Sequence, residues 1–69
     1  MRAMAILEER PIEKTSLEVF LRERGILAYA RAGLALVLVN GRSVRPSELA
    51  AIEVSKEDLV VVVPLARGG

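Results

Sequence analysis

The sequence contains no histidine and no cysteine. The first absence removes the commonest general base and the commonest metal ligand. The second excludes disulfides and any chemistry that begins with a thiolate. Aromatic residues are nearly missing, with Phe20 and Tyr29 the whole set. A nucleic-acid binder wants a basic stripe interleaved with stacking rings. Ten basic against nine acidic residues and two isolated rings supply neither, so no nucleic-acid partner is expected. No apolar run approaches the roughly 18 residues of a membrane span. No signal peptide is visible in MRAMAILEERP, so a cytoplasmic protein away from the membrane is expected. The glycines, at 25, 33, 41, 68 and 69, fit no phosphate-binding pattern. The carboxylates, such as Glu8/Glu9 and Glu57/Asp58, show no metal-ligand spacing. The expectation is therefore no enzyme, no metal site and no bound cofactor, in a chain that binds or is acted upon.

What is present is aliphatic. Hydrophobic residues make up 52% of the 69, mostly Val, Leu, Ile and Ala. A chain this short builds one modest core, so a single domain is expected over residues 1–65, with 66–69 as a flexible tail.

Turn and cap signals divide the chain. AMAIL (3–7) reads as a buried strand, and IEKT (12–15) as a second strand pairing back on it across Pro11. In TSLE, Thr15 and Glu18 have capping-box spacing, and Ser16 is an equally good cap. Leu17, Phe20 and Leu21 then form one apolar stripe of a helix of about ten residues that Gly25 closes. Residues 26–33 read as either a loop or an extra helical turn. LALVLV (34–39) is a strand with Leu34, Leu36 and Leu38 on one face and Ala35, Val37 and Val39 on the other. Asn40-Gly41 marks a type I′ hairpin turn, because both central positions need positive φ. RSV (42–44) is the return strand, and PSELAAIEV connects onward through a helical turn capped by Ser47. LVVVVPL (59–65) is the last strand and apolar enough for the middle of a sheet. The fold class is α+β: a mixed sheet of four or five strands packed on one main helix, with the first and last strands side by side at its centre.

Two features carry functional expectations. One helix covers one sheet face, so the other face of an apolar sheet is left as a partner surface. Val37, Val39, Val61, Val63 and Leu65 are the residues expected on it. The second feature is the ending ARGG. In the bland reading it is a frayed end or a cloning remnant. In the functional reading the terminal carboxylate is the reactive group. Two residues without Cβ atoms can thread a narrow channel, which brings the carboxylate to a nucleotide α-phosphate in a partner enzyme.

The strand-strand-helix-strand order, VNGRSV in a mid-chain hairpin, DLVVVVP near the end and the final Gly68-Gly69 together resemble the β-grasp sulfur-carrier proteins. That group includes the thiamine-biosynthesis sulfur carrier, the small subunit of molybdopterin synthase and the ubiquitin-like modifiers. The resemblance spans Met4 to Gly69 and implies a ubiquitin-like β-grasp fold. It implies that a partner resembling ubiquitin-activating enzymes adenylates Gly69, using ATP and magnesium, before conversion to a thiocarboxylate. Gly68 and Arg67 would pass through that partner's channel, and a sulfur-accepting synthase would take the sulfide. Short length and one convincing helix favour the thiamine branch. The molybdopterin subunit and a protein modifier remain the alternatives. Glu57-Asp58 stands where the family often has Gly-Asp.

Overall fold

The strongest local signal in the chain, Asn40-Gly41, forms the expected turn. In the computed structural model, which describes residues 5–65, Asn40 has φ 53° and Gly41 φ 83°. These are the left-handed values a type I′ turn demands. The turn joins β3 (Ala35–Val39) to β4 (Arg42–Val44) with Val37 opposite Val44 and Val39 opposite Arg42. β6 (Val60–Pro64) lies on the other side of β3, and β1 (Leu7–Glu9) lies beyond β6. The order β1-β6-β3-β4 puts the two most apolar strands inside. Pro64 closes β6, where its missing donor interrupts the ladder least.

Every pairing in this sheet is antiparallel. The expected mixed sheet is therefore corrected for the described residues. The first and last described strands are neighbours, as expected, but β1 runs against β6 and occupies an edge. The expected hairpin between 3–7 and 12–15 does not form among the described residues. Instead β2 (Thr15–Ser16) pairs with β5 (Glu53–Val54) as a separate two-stranded sheet.

Ser16 ends β2 and caps α1 (Leu17–Glu23), its Oγ accepting the Val19 amide at 3.0 Å. The amides of Leu17 and Glu18 donate to the carbonyls of Ile52 and Leu49, at 2.8 and 3.1 Å. Those bonds use first-turn donors that a helix cannot satisfy internally. Leu17, Phe20 and Leu21 are all buried, as the stripe requires. Gly25, at φ 77°, lets the chain leave α1, and α2 (Leu27–Arg31) follows at once. The segment left open between loop and helix is thus a second helix, and the single main helix becomes two short ones. Neither is long enough to persist alone, so both depend on docking. Pro46–Glu48 forms a 3-10 turn, but Ser47 does not cap it; Arg45 holds that position and its amide donates to Glu48 Oε1 at 2.9 Å.

The core lies between the helices and one sheet face. Phe20 and Leu21 meet Val37, Val60 and Val62 there, with Ala30, Leu49 and Val54 closing the sides. No buried polar side chain interrupts it among the described residues. Among those residues, no helix is long and apolar enough to cross a membrane.

Candidate functional site: the open sheet face and the carboxy-terminal segment

Pairing register decides which side chains share a face. Leu7, Val62, Val37 and Val44 stand in one row across the sheet, pointing at the helices. Glu8, Val61, Leu38 and Ser43 form the next row, on the opposite side. Leu36 pairs with Val63 on that same side. Alternation adds Leu34 and Leu65 along the strands, tied by the Leu65 amide donating to the Leu34 carbonyl at 3.0 Å. Ile6 extends β1 next to Val63, since its amide donates to the Val62 carbonyl at 2.7 Å.

The residues expected on the partner face therefore divide. Val61, Val63 and Leu65 lie on the open side. Val37 is only 2% exposed and sits in the core, and Val39 packs against that core. The two belong to the covered face, and Leu36 and Leu38 take their places. Strands apolar on both sides look the same from either face; only the position of the helices distinguishes them. The open face is continuous: Leu36, Leu38, Val61 and Val63 are half-buried in the middle. Ile6, Leu34 and Leu65 at the rim are 42, 40 and 44% exposed. None of the described helices lies on it.

Among the described residues, the Leu65 amide makes the last of these ladder hydrogen bonds. Arg67, Gly68 and Gly69 lie outside the described residues.

Two polar clusters brace the scaffold. Arg24, just past α1, donates through Nε and Nη2 to both carboxylate oxygens of Glu9 on β1, at 3.1 and 2.5 Å. The same guanidinium stacks 4.5 Å from the Phe20 ring centroid. Its hydrogen bonds hold the Glu9 carboxyl below its ordinary value and raise Arg24 above its own. At the far end of the sheet, Asn40 Nδ2 donates to Asp58 Oδ1 at 2.9 Å, and the Leu59 amide donates to Asn40 Oδ1 at 2.9 Å. The Ser55 amide donates to Asp58 Oδ2 at 2.8 Å. The Asn40 bond foremost, then those from Ser55, lowers the Asp58 carboxyl. This clip ties the β3–β4 turn to the turn before β6. Sequence inspection assigns Asn40 a turn role but misses its side-chain partner, because nothing local links positions 40 and 58.

Among the described residues, no group of three or more Asp or Glu side chains gathers to hold a metal ion. A shallow cleft lined by Val39, Asn40, Arg42, Val44 and Ile52 lies beside the hairpin, on the helix side of the sheet. No family model matches the sequence, and no curated protein or solved structure matches the chain.

Proposed function

We propose that the chain is a sulfur carrier of the β-grasp kind, charged at Gly69 and serving thiazole formation in thiamine biosynthesis. The carrying observation is the course of β6. It runs inside the sheet between β1 and β3, with the Leu65 amide still bonded to the Leu34 carbonyl, and Ala66-Arg67-Gly68-Gly69 come next in the sequence. A rigid strand thus fixes the base of a segment whose last residues carry no side chains. The open apolar face includes Leu65, four residues before the end of the sequence, and would give an activating enzyme a surface to grip. The antiparallel β1–β6 pair departs from the mixed sheet of that family. The reading rests on element order, one covered sheet face and the sequence at the end.

The chemistry takes place in the partner. A Gly69 carboxylate oxygen attacks the α-phosphorus of ATP, and pyrophosphate leaves. Hydrosulfide, as the sulfur source, then attacks the carbonyl carbon of the acyl-adenylate, AMP leaves with the bonding pair, and the sulfur loses its proton to leave a thiocarboxylate. The carrier contributes the electrophilic carbon and the docking surface, so its lack of His and Cys costs nothing.

The test is intact mass after incubation with a cognate activating enzyme, ATP, magnesium and a sulfur source. The expected gain corresponds to one oxygen replaced by sulfur. Gly68→Val should abolish it by blocking passage through the channel, and deletion of Gly69 must do so. No gain with an active enzyme overturns the proposal. Gly69 found on lysines of other proteins would instead establish a modifier, and sulfur delivery to molybdopterin synthesis would assign the other carrier branch.

A further inference from the structure

We infer that Asn40-Gly41 is a site of spontaneous deamidation, gated by local opening of the clip that binds Asn40 to Asp58 and Leu59. The inference rests on the turn itself and stands whether or not the carrier reading holds.

The pair is chemically primed. Asparagine is among the thermally labile residues. A following glycine eases ring closure, because no Cβ shields its amide nitrogen. Asn40 and Gly41 are both exposed, so water reaches them. The Gly41 amide nitrogen loses its proton to solvent and bonds to Asn40 Cγ. The Cγ–Nδ2 bond breaks, and Nδ2 takes up a proton and leaves as ammonia. Water then opens the five-membered imide at either carbonyl. One opening gives aspartate; the other gives an isoaspartyl linkage, with the main chain rerouted through the side chain. Water is the only co-reactant.

The fold holds the reacting atoms apart. Ring closure needs the Gly41 nitrogen and the Asn40 Cβ on the same side of the Asn40 Cα–C bond. A type I′ turn has ψ of about +30° at its first central residue, which sets them on opposite sides. Three hydrogen bonds keep Asn40 in that turn. Its amide donates to the Leu59 carbonyl at 2.9 Å. Its Oδ1 accepts the Leu59 amide, and its Nδ2 donates to Asp58 Oδ1, each at 2.9 Å. The departing nitrogen is thus itself bonded. Reaction requires an opening in which the carboxamide leaves both partners and the peptide rotates, a local event of the kind turns undergo without global unfolding.

The product cannot rebuild the clip. Aspartate at position 40 lacks the Nδ2 donor and sets a second carboxylate against Asp58. Isoaspartate adds a backbone carbon to a turn whose register, Val39 opposite Arg42, depends on two central residues. Each reacted molecule therefore loses the tie between the β3–β4 turn and the turn before β6.

The test is ageing of the full chain at body temperature in mildly alkaline buffer, folded and in concentrated urea. Mass spectrometry of tryptic peptide 32–42 reads the gain from NH2 replaced by OH, and chromatography separates the aspartyl and isoaspartyl forms. The folded chain should react on the order of a hundredfold more slowly than the chain in urea, since it must first break one bond to a carboxylate and one to an amide. Asp58→Ala should accelerate the folded reaction about ten- to a hundredfold. Asp58→Asn, which keeps the shape and a neutral acceptor, should give a smaller rise. Ser16→Ala lowers global stability far from the turn and should leave the rate unchanged. Circular dichroism checks that each variant is folded. No reaction in urea overturns the site. Equal rates folded and unfolded, or no acceleration in either Asp58 variant, overturn the gating by the clip. Acceleration by Ser16→Ala equal to that by Asp58→Ala overturns local opening, because the reaction then runs through global unfolding.

Discussion

Val61 and Val62 are adjacent in β6, yet the register sends them to opposite sides of the sheet, so one chemical change can be made on each. Val→Thr keeps the side-chain shape and replaces one methyl with a hydroxyl. Val62 is 0% exposed and lies among Leu7, Val37 and the helix side chains. A hydroxyl there faces hydrocarbon, and an unsatisfied buried polar group costs about 1–3 kcal/mol. Val61 lies on the open face within reach of water, where such a change costs less than about 0.5 kcal/mol. A domain of this size has a total stability of about 3–10 kcal/mol. Val62→Thr should therefore remove a large share of it and lower the melting temperature by about 8–16 °C at a 2 kcal/mol loss. Val61→Thr should leave the melting temperature nearly unchanged. With one tyrosine and no tryptophan, fluorescence is a poor probe, so thermal and urea unfolding followed by far-ultraviolet circular dichroism are the assays. Equal losses at the two positions, or a larger loss at Val61, would refute the assignment of covered and open faces.

Three further outcomes follow from local geometry. Ser16→Ala removes the acceptor of the Val19 amide and should cost about 1 kcal/mol, read as a melting temperature about 4–8 °C lower. Gly41→Ala should destabilise by about 1–2 kcal/mol in urea unfolding although a Cβ there meets nothing within 4 Å, because φ 83° alone penalises it. The third outcome concerns acid. Glu9 and Asp58 have folded-state values below their ordinary 4.5 and 3.8, so the stabilisation they carry is full above those values. It is lost as pH falls through the lower folded-state values. The urea midpoint should hold from neutrality to about pH 5 and drop below about pH 4. The combined Glu9→Gln and Asp58→Asn variant should lose stability at neutral pH and show a shallower acid limb; an unchanged acid limb would count against both contacts.

The elements legible in the sequence are those fixed by local chemistry. Asn40-Gly41 needs only its own backbone preference to specify a turn. Ser16 and the stripe Leu17, Phe20, Leu21 specify a cap and a buried helix face within six residues. Features set by distant contacts were illegible. Periodicity is the same whichever way a strand runs, so nothing in Leu7–Glu9 announces its antiparallel pairing with β6. The two-residue partnership of Thr15–Ser16 with Glu53–Val54 is too short to leave a pattern. In α2, Leu-Ala-Tyr-Ala-Arg has good helix formers but buries only Ala30, so no stripe marks it. The candidate face was half legible. Alternation separated Leu34, Leu36 and Leu38 from Val37 and Val39, but only helix placement says which set is covered.

That double-sided apolarity is itself an argument about use. A monomer with one covered face normally alternates apolar and polar residues, which keeps the open side wet. β3 and β6 place Leu36, Leu38, Val61 and Val63 where threonine or lysine would serve solubility better. Retaining them makes sense if the face spends part of its time against another surface. Its composition also limits how tightly it can hold. Tight interfaces are anchored by tryptophan, tyrosine and arginine in deep pockets. The centre of this face is aliphatic and small, and Tyr29, the chain's one tyrosine, lies on α2. Such a surface favours association that forms and releases readily, because affinity differences between related complexes reside mostly in the off-rate. If the proposed carrier reading holds, the chain must leave an activating enzyme before meeting an acceptor, and that weakness serves the cycle. On the proposed reading, replacing Leu38 with an aromatic anchor should strengthen docking to the activating enzyme and slow sulfur delivery in multiple-turnover assays. Faster delivery would show that docking, rather than release, limits the cycle.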